Sequence, residues 1–249
     1  MSEHSKLWDM NSPAWLVHKT WAGAHSARIL LFTREQGLIW AKCYGGWSPK
    51  KQAVLQAFTP LWIELNQRQN GYELRRVEIA GSPFELSGMY LFSALYVNEL
   101  LYSVLRPEDP DIDLYDAYVS TLQTVSLVTT QSDLERILRR FEWQVLSSIG
   151  YAMSLTHDAE AHNPIIATQY YDFQPGLGFI TAPNGMLGAD ILALAKDDLN
   201  HPRILKIAKY LMRRALDYAL GGKTIKSRAL FSTNHSAPVQ KHETSSEVG

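Results

Sequence analysis

The chain has 249 residues, 46% of them hydrophobic, which suits one large or two small domains with packed cores. Its formal charge of −1 hides an uneven spread: 10 Lys/Arg against 6 Asp/Glu over residues 1–80, 5 against 16 over 81–200, and 9 against 3 over 201–249, so two basic ends flank an acidic middle. A single cysteine, Cys43, excludes an intrachain disulfide and a cysteine-rich zinc site, and no run approaches the roughly 18 apolar residues of a membrane-spanning helix.

The first residues lack the basic-then-apolar order of a signal peptide, so a cytoplasmic location is expected. Ala14 to Thr20 and Arg28 to Thr33 read as strands, joined to a third, Leu38 to Tyr44, by a turn over Arg34 to Gly37. Alternation in the third strand sends Ile39, Ala41 and Cys43 to a core face and Leu38, Trp40, Lys42 and Tyr44 to the other. Aromatic side chains interleaved with basic ones are what base stacking beside phosphate contact requires, although Trp40 and Tyr44 also suit covering a barrel end or docking on the rest of the chain. Gly45 to Lys51 reads as a flexible loop whose Trp47, Lys50 and Lys51 either close over a nucleic-acid strand or form a solvated connection. Phe58 to Leu65, with Leu61, Ile63 and Leu65 inward, and Tyr72 to Ile79, after an Asn70-Gly71 turn, complete five short strands. The predicted fold class is therefore α+β: an N-terminal five-stranded barrel of the oligonucleotide-binding (OB) type over 1–80, then a mainly helical domain over 81–231, with the boundary at Gly81-Ser82-Pro83.

The helical part begins with Ser87 to Leu105, apolar all round, and an acidic turn from Pro107 to Asp113 that lacks the glycine and closing glutamate of a calcium loop and instead suits the start of a helix over Leu114 to Leu127. A central helix follows, predicted to start at a Ser132–Glu135 capping box and stop at Gly150, with Leu134, Ile137, Leu138, Phe141, Val145 and Ile149 on its core stripe. Arg136, Arg139, Arg140 and Trp143 share the opposite face, which reads either as a solvated basic side or as a site for an acidic partner. Residues 156–188 are irregular, with a hairpin expected around Tyr170 to Phe179; His157 and His162 are five apart, outside the spacing for a shared metal, and no metal or cofactor is expected. Ala189 to Leu199 reads as a short helix, and Pro202 opens a long one to Leu220, whose Arg203, Lys206, Lys209 and Arg213 form a basic stripe. Lys223, Lys226 and Arg228 add charge after it; Gly222-Lys223-Thr224 lacks the earlier glycine and the preceding strand of a phosphate-binding loop, and residues 232–249 are expected to be disordered. Neither a nucleophile with its base nor a carboxylate pair stands at catalytic spacing, so no enzyme is expected.

Three stretches together resemble the bacterial RecO family of recombination mediators: FTREQGLIWAKCYGG with LQAFTPLWIEL, YVNELL with LRRFEWQVLSSIGY, and LGGKTIKSRALF, spanning residues 10–232 in order. The resemblance implies an OB barrel packed on a helical domain without catalytic chemistry. It also implies binding of single- and double-stranded DNA and of the acidic C-terminal tail of the single-strand-binding protein SSB, partnership with RecR, strand annealing and loading of RecA, with a nucleoid-associated location and RecF dependence left open. Matching positions are Arg34, Lys42, Lys50 and Lys51 in the barrel and Arg139, Arg140, Lys223, Lys226 and Arg228 in the helical part. An acidic tail ending in an aromatic residue calls for an apolar slot rimmed by arginine or lysine, which the central helix and the basic helix after Pro202 would line, bringing in Arg136, Lys206, Lys209 and Arg213. Two departures stand out: AKCYGGWSPKK is less basic than the family's usual stretch, and the four cysteines that some relatives place in the irregular segment are missing. The alternative is a non-catalytic scaffold that recruits partners through its helices and touches DNA weakly.

Overall fold

A computed structural model describes residues 9–23, 25–69 and 71–233. Five strands form a closed barrel: β1 (Asp9–Trp21), β2 (Ala27–Thr33), β3 (Gly37–Cys43), β4 (Pro60–Arg68) and β5 (Gly71–Ile79), in the order β1-β2-β3-β5-β4. All neighbours are antiparallel except β3 and β5, whose short parallel pairing of Ala41 with Tyr72 and Lys42 with Glu73 closes the barrel. The strands therefore match the expectation, with β1 longer than expected; the Asn70 half of the predicted turn lies outside the described residues. Inside, Leu16, Ile29, Leu31, Ile39, Ala41, Cys43, Leu61, Ile63 and Leu65 are buried, as alternation requires. The segment Pro49–Val54, expected as part of a flexible loop, is a short helix, α1, because the Ser48 hydroxyl accepts the Lys51 N–H and Pro49 supplies a preset first turn.

Among the described residues six further helices follow: α2 (Gly88–Val104), α3 (Ile112–Leu127), α4 (Gln131–Ser148), α5 (Gly188–Ala195), α6 (Pro202–Ala219) and α7 (Leu230–Thr233). Asp111 caps α3 by accepting the Leu114 N–H, which is the helix-start role expected of the acidic turn. The start of α4 is corrected: Thr130 caps it through the Asp133 N–H, while Ser132 is the second residue of the first turn and accepts from Arg136. Its end agrees with expectation, since Gly150 sits at φ +76° and the Gly150 and Tyr151 N–H groups reach back to Ser147 and Leu146. α5 stops at Ala195, earlier than expected; the expected hairpin is β6 (Tyr170–Gln174) with β7 (Gly178–Ala182), and β8 (Met186–Leu187) adds a third strand to order a segment otherwise expected to be irregular. Asp158 braces that segment by accepting the Ala161 and Asn163 N–H groups, while Tyr171, Phe173 and Phe179 are buried beneath it. Of the tail expected to be disordered, Ser232 and Thr233 belong to α7 and the remainder lies outside the described residues.

The barrel and the helices share one core. Trp15, Val17, Leu30, Phe32, Leu38 and Phe58 point out of the barrel into the same cluster as Ala94, Val97, Leu101, Tyr118 and Phe141. β1 carries a bulge between Leu16 and His18, so Val17 and His18 both face outward. The Asn98 amide, 4% exposed, donates to the Leu16 and Val17 carbonyls at 3.4 Å each and accepts the Tyr118 hydroxyl at 2.8 Å. The β2–β3 turn also meets the acidic segment: Glu108 N–H donates to the Leu38 carbonyl at 2.8 Å, and a Cβ at Gly37 would stand 2.6 Å from the Asp109 carbonyl oxygen. Asn98→Leu is expected to cost about 1–3 kcal/mol by leaving buried acceptors unmet, and Tyr118→Phe about 1 kcal/mol. Urea unfolding should show both as lower midpoints of a single transition seen alike by tryptophan fluorescence and circular dichroism; separate transitions would mean that the shared core does not couple the two parts.

Candidate functional site

Two regions gather ten of the sixteen candidate binding residues singled out in the sequence, and the other six, Arg34, Arg136, Arg140, Lys206, Lys223 and Lys226, lie outside both. The first lies on the barrel, where the outer side of β2–β3 and the neighbouring barrel mouth carry cations on aromatic faces. Lys42 Nζ sits 4.4 Å from the Tyr44 ring centroid, Arg28 4.3 Å from that of Trp40, and Lys19 Nζ 4.4 Å from that of Trp47. Tyr44 is 56% exposed and Trp21 62%, and Trp21 stands 6.0 Å from Trp47. Lys19 and Lys51 converge above buried Cys43; burial lowers the lysine's pKa at position 19 and raises that of the thiol, which both cations oppose.

Trp40 both faces the cationic side and docks on the helices: it is half-buried and lies 6.3 Å from Tyr102 of α2, with His18 stacked on Tyr102 at 4.7 Å. Arg34 is not part of this surface. It stands at the opposite end of the β2–β3 hairpin, where Nε and Nη2 hold both oxygens of Asp116 on α3 at 3.0 and 2.8 Å, a strut between barrel and helices. Lys50 on α1 is exposed beside half-buried Lys51. Arg28, Lys19, Trp21, His18 and Tyr102 join the surface without having been singled out. Alternation along β2 places Arg28 opposite Lys42, a signal present in the sequence; Tyr102 comes from a helix and only tertiary packing brings it to the barrel.

The second region is a cavity of about 550 Å³ between α2, α4, α6 and the 3-10 turn Lys226–Ala229. Met89, Leu134, Leu138 and Phe231 supply apolar lining, and Arg139, Lys209, Arg213 and Arg228 supply charge. The expectation that Arg136, Arg139 and Arg140 share one exposed face is corrected: the three splay apart. Arg139 is 9% exposed at the cavity floor, where its Nη2 donates to Glu142 at 2.7 Å; Arg140 turns outward to Asp197; Arg136 folds back on Asp133. The packing of α4 on α6 decides this, since Lys209 meets Glu135 at 3.4 Å across the rim. Lys206, Lys223 and Lys226 are exposed and lie outside the cavity lining. Arg203 pairs with Asp190 at 2.6 Å. No helix among the described residues is long and apolar enough to cross a membrane, and they hold no group of three or more side chains suited to a metal ion.

A small five-stranded barrel with stacked aromatics and cations, sharing its core with a helical unit that carries a cation-rimmed apolar cavity, defines an OB-fold protein with a helical domain. The family described as Recombination protein O C terminal matches residues 88–229. The DNA repair protein RecO of Legionella pneumophila (strain Lens) is 47% identical over 219 residues, covering 88% of this chain and 96% of that protein. The corresponding proteins of Pseudomonas putida (strain W619) and Marinobacter nauticus are 36% and 33% identical over 89% and 93% of the chain. The chain belongs to the RecO family of DNA repair proteins.

With Cys43 fully buried and its thiol pKa raised, a disulfide reagent at about pH 8 should leave it unmodified in the folded protein and label it fully in concentrated urea. Rapid labelling without denaturant would show that the barrel mouth opens.

Proposed function

We propose that this chain is a non-catalytic recombination mediator: its barrel binds single- and double-stranded DNA, its cavity takes the acidic C-terminal tail of SSB, and with RecR it anneals strands and promotes RecA loading on SSB-coated single strands in the cytoplasm. The observation that carries this reading is the cavity. Its volume falls in the range of ligand sites, Met89, Leu134, Leu138 and Phe231 give it walls apolar enough for an aromatic side chain, and Arg139, Lys209, Arg213 and Arg228 border it with donors for carboxylates. On the barrel, Tyr44, Trp47 and Trp40 offer rings to nucleobases, while Lys42, Lys50, Lys51, Lys19 and Arg28 meet phosphates. Each of Tyr44, Trp40 and Trp47 already carries a cation on one face, so a base stacks on the free face or displaces the cation toward phosphate.

Annealing of SSB-coated complementary strands should slow severely when SSB lacks its tail; equal rates would move the functional weight to the barrel alone. In peptide binding, Lys209→Ala with Arg213→Ala should weaken an acidic peptide ending in phenylalanine about tenfold or more, while Arg140→Ala, its guanidinium engaged outside the cavity, changes affinity less than about twofold. The reverse order would refute the cavity assignment.

For DNA, replacing Lys42, Lys50 and Lys51 together by alanine should flatten the salt dependence of single-strand binding by about two in logarithmic slope. Tyr44→Ala should cost about 1–3 kcal/mol with the slope unchanged, and Arg34→Ala should leave binding intact. If bare oligonucleotide fails to bind the wild-type protein at moderate salt, only the scaffold reading survives.

A further inference from the structure

Glu142 is an unusual group to find at the base of a cavity that is to hold an acidic peptide. It is 2% exposed and lines the cavity. Its Oε1 accepts the Tyr96 hydroxyl at 2.5 Å and Arg139 Nη2 at 2.7 Å, whereas Oε2 has no hydrogen-bond partner among the described residues. Arg139 Nε and Arg228 Nη2 are also buried and unpartnered among the described residues. The buried acid oxygen and the two buried donors thus belong to three residues that line one cavity, a costly arrangement unless a ligand or an ordered water completes it. Titratable groups reach the cavity from α2, α4, α6 and the 3-10 turn, while α7 contributes only Phe231. Tyr96 comes from α2, Glu135 and Arg139 from α4, Lys209, Arg213 and Asp217 from α6, and Arg228 from the 3-10 turn. Of the acids, Glu135 is held by Lys209 at 3.4 Å, and Asp217 by Arg228 and by Arg213 at 3.9 Å; Glu99 of α2 is turned away, accepting the Lys226 and Ser227 N–H groups. Glu142 alone among them keeps a buried oxygen without a partner among the described residues.

We infer that Glu142 couples the cavity to proton uptake: a peptide carboxylate seated against Arg139 and Arg228 binds with a proton taken from solvent onto Glu142 Oε2, which then donates to that carboxylate. This rests on the reading of the cavity as an acidic-peptide site. Two carboxylates at hydrogen-bonding distance in a desolvated site do not both stay ionised, and one proton between them turns repulsion into a hydrogen bond. Burial pushes the Glu142 carboxyl above the usual range, against the pull of Arg139, the Tyr96 hydrogen bond, Arg228 and Lys209, which is the direction that favours proton uptake. The sign follows: binding favours the protonated form, so affinity rises as pH falls toward the pKa of Glu142 in the free protein, by up to about tenfold per pH unit above it. Glu142 is thus a specificity-determining group, selecting a ligand that brings a carboxylate acceptor to Oε2.

The test uses the full chain and a fluorescein-labelled peptide, Asp-Asp-Asp-Leu-Phe, between about pH 5.5 and 8, where the peptide carboxylates stay ionised. Wild-type affinity should rise at least about tenfold as the pH falls, and calorimetry in buffers of different ionisation enthalpy should show about one proton taken up per peptide. Glu142→Gln, which keeps the acceptor for Tyr96 and Arg139 and places an amide donor at the Oε2 position, should bind about tenfold tighter than wild type near pH 8 and show neither effect. Should that variant not fold, Tyr96→Phe serves: loss of the phenol donor disfavours ionised Glu142 and should move the midpoint of the wild-type profile to higher pH. Peptide binding with the same pH profile in wild type and Glu142→Gln, or an unmoved midpoint in Tyr96→Phe, would overturn the inference and leave Glu142 as a brace for Arg139. Absence of peptide binding at every pH would overturn the cavity reading, and this inference with it.

Discussion

Val17 is an extra residue in β1, and the carbonyls on either side of the resulting bulge are met by the amide of one buried asparagine, Asn98, which Tyr118 in turn holds in place. That contact fixes three elements at once: the barrel through β1, then α2 and α3. An unpaired amide or carbonyl in such a dry place costs about as much as a lost core side chain, so the polar link specifies how the barrel docks, while Trp15, Leu30, Phe32 and Tyr118 supply the apolar area that drives docking. The bulge also decides which residues face out. By breaking the alternation it sends Val17 into the shared core and His18 toward Tyr102 and Trp40.

Charge is organised by local pairing rather than by the near-neutral total. The acidic middle of the chain supplies Asp116, Asp133, Asp190 and Asp197, and each holds an arginine: Arg34, Arg136, Arg203 and Arg140. The Arg34–Asp116 and Arg140–Asp197 pairs are exposed on both sides and contribute little to stability, whereas Asp190 is buried; all four decide which cations are already committed to a carboxylate. Arg28, Lys42 and Lys19 instead sit on aromatic rings, which hold a cation less exclusively than a carboxylate does. A basic residue in a motif is therefore a poor guide to a binding surface until its acid is known. Arg34 and Lys42 both carry the family resemblance, and only Lys42 remains on the aromatic face.

Elements with a strong period were legible in the sequence. The five strands, the core face of β3 and the ends of α6 follow from alternation, from a 3.6-residue stripe and from Pro202 and Gly221. Misreadings fell where two local signals competed. Thr130 and Ser132 both suit a helix cap, and the reciprocal contact between Thr130 and Asp133 decides between them. The Gly-Gly-Trp-Ser-Pro stretch reads as a loop, yet Ser48 and Pro49 are helix-starting residues once the Lys51 N–H is in reach. The splay of Arg136, Arg139 and Arg140 was not legible at all. Residues at i, i+3 and i+4 share a face about 100° wide, and which edge of that face becomes buried depends on where α6 and α2 pack. Buried Glu142 likewise gave no signal, because a lone glutamate beside a tryptophan in an amphipathic helix reads as surface.

α2 stands between the two regions, and its geometry relates them. At about 100° per residue, Asn98 and Tyr102 lie on one side of the helix and Tyr96 on the opposite side. The first two touch the barrel; Tyr96 reaches Glu142 at the cavity floor. A polar side chain is thus planted in each direction from one buried helix, at positions where neither can rotate away without losing its partner. For the function proposed, a strand on the barrel and a peptide in the cavity would occupy opposite sides of α2 and need not displace one another. Any communication between them would have to pass through a helix pinned at both faces. Such a helix transmits a shift only by moving as a whole, because the packing of Ala94, Val97, Leu100 and Leu101, all fully buried, leaves it no room to bend locally.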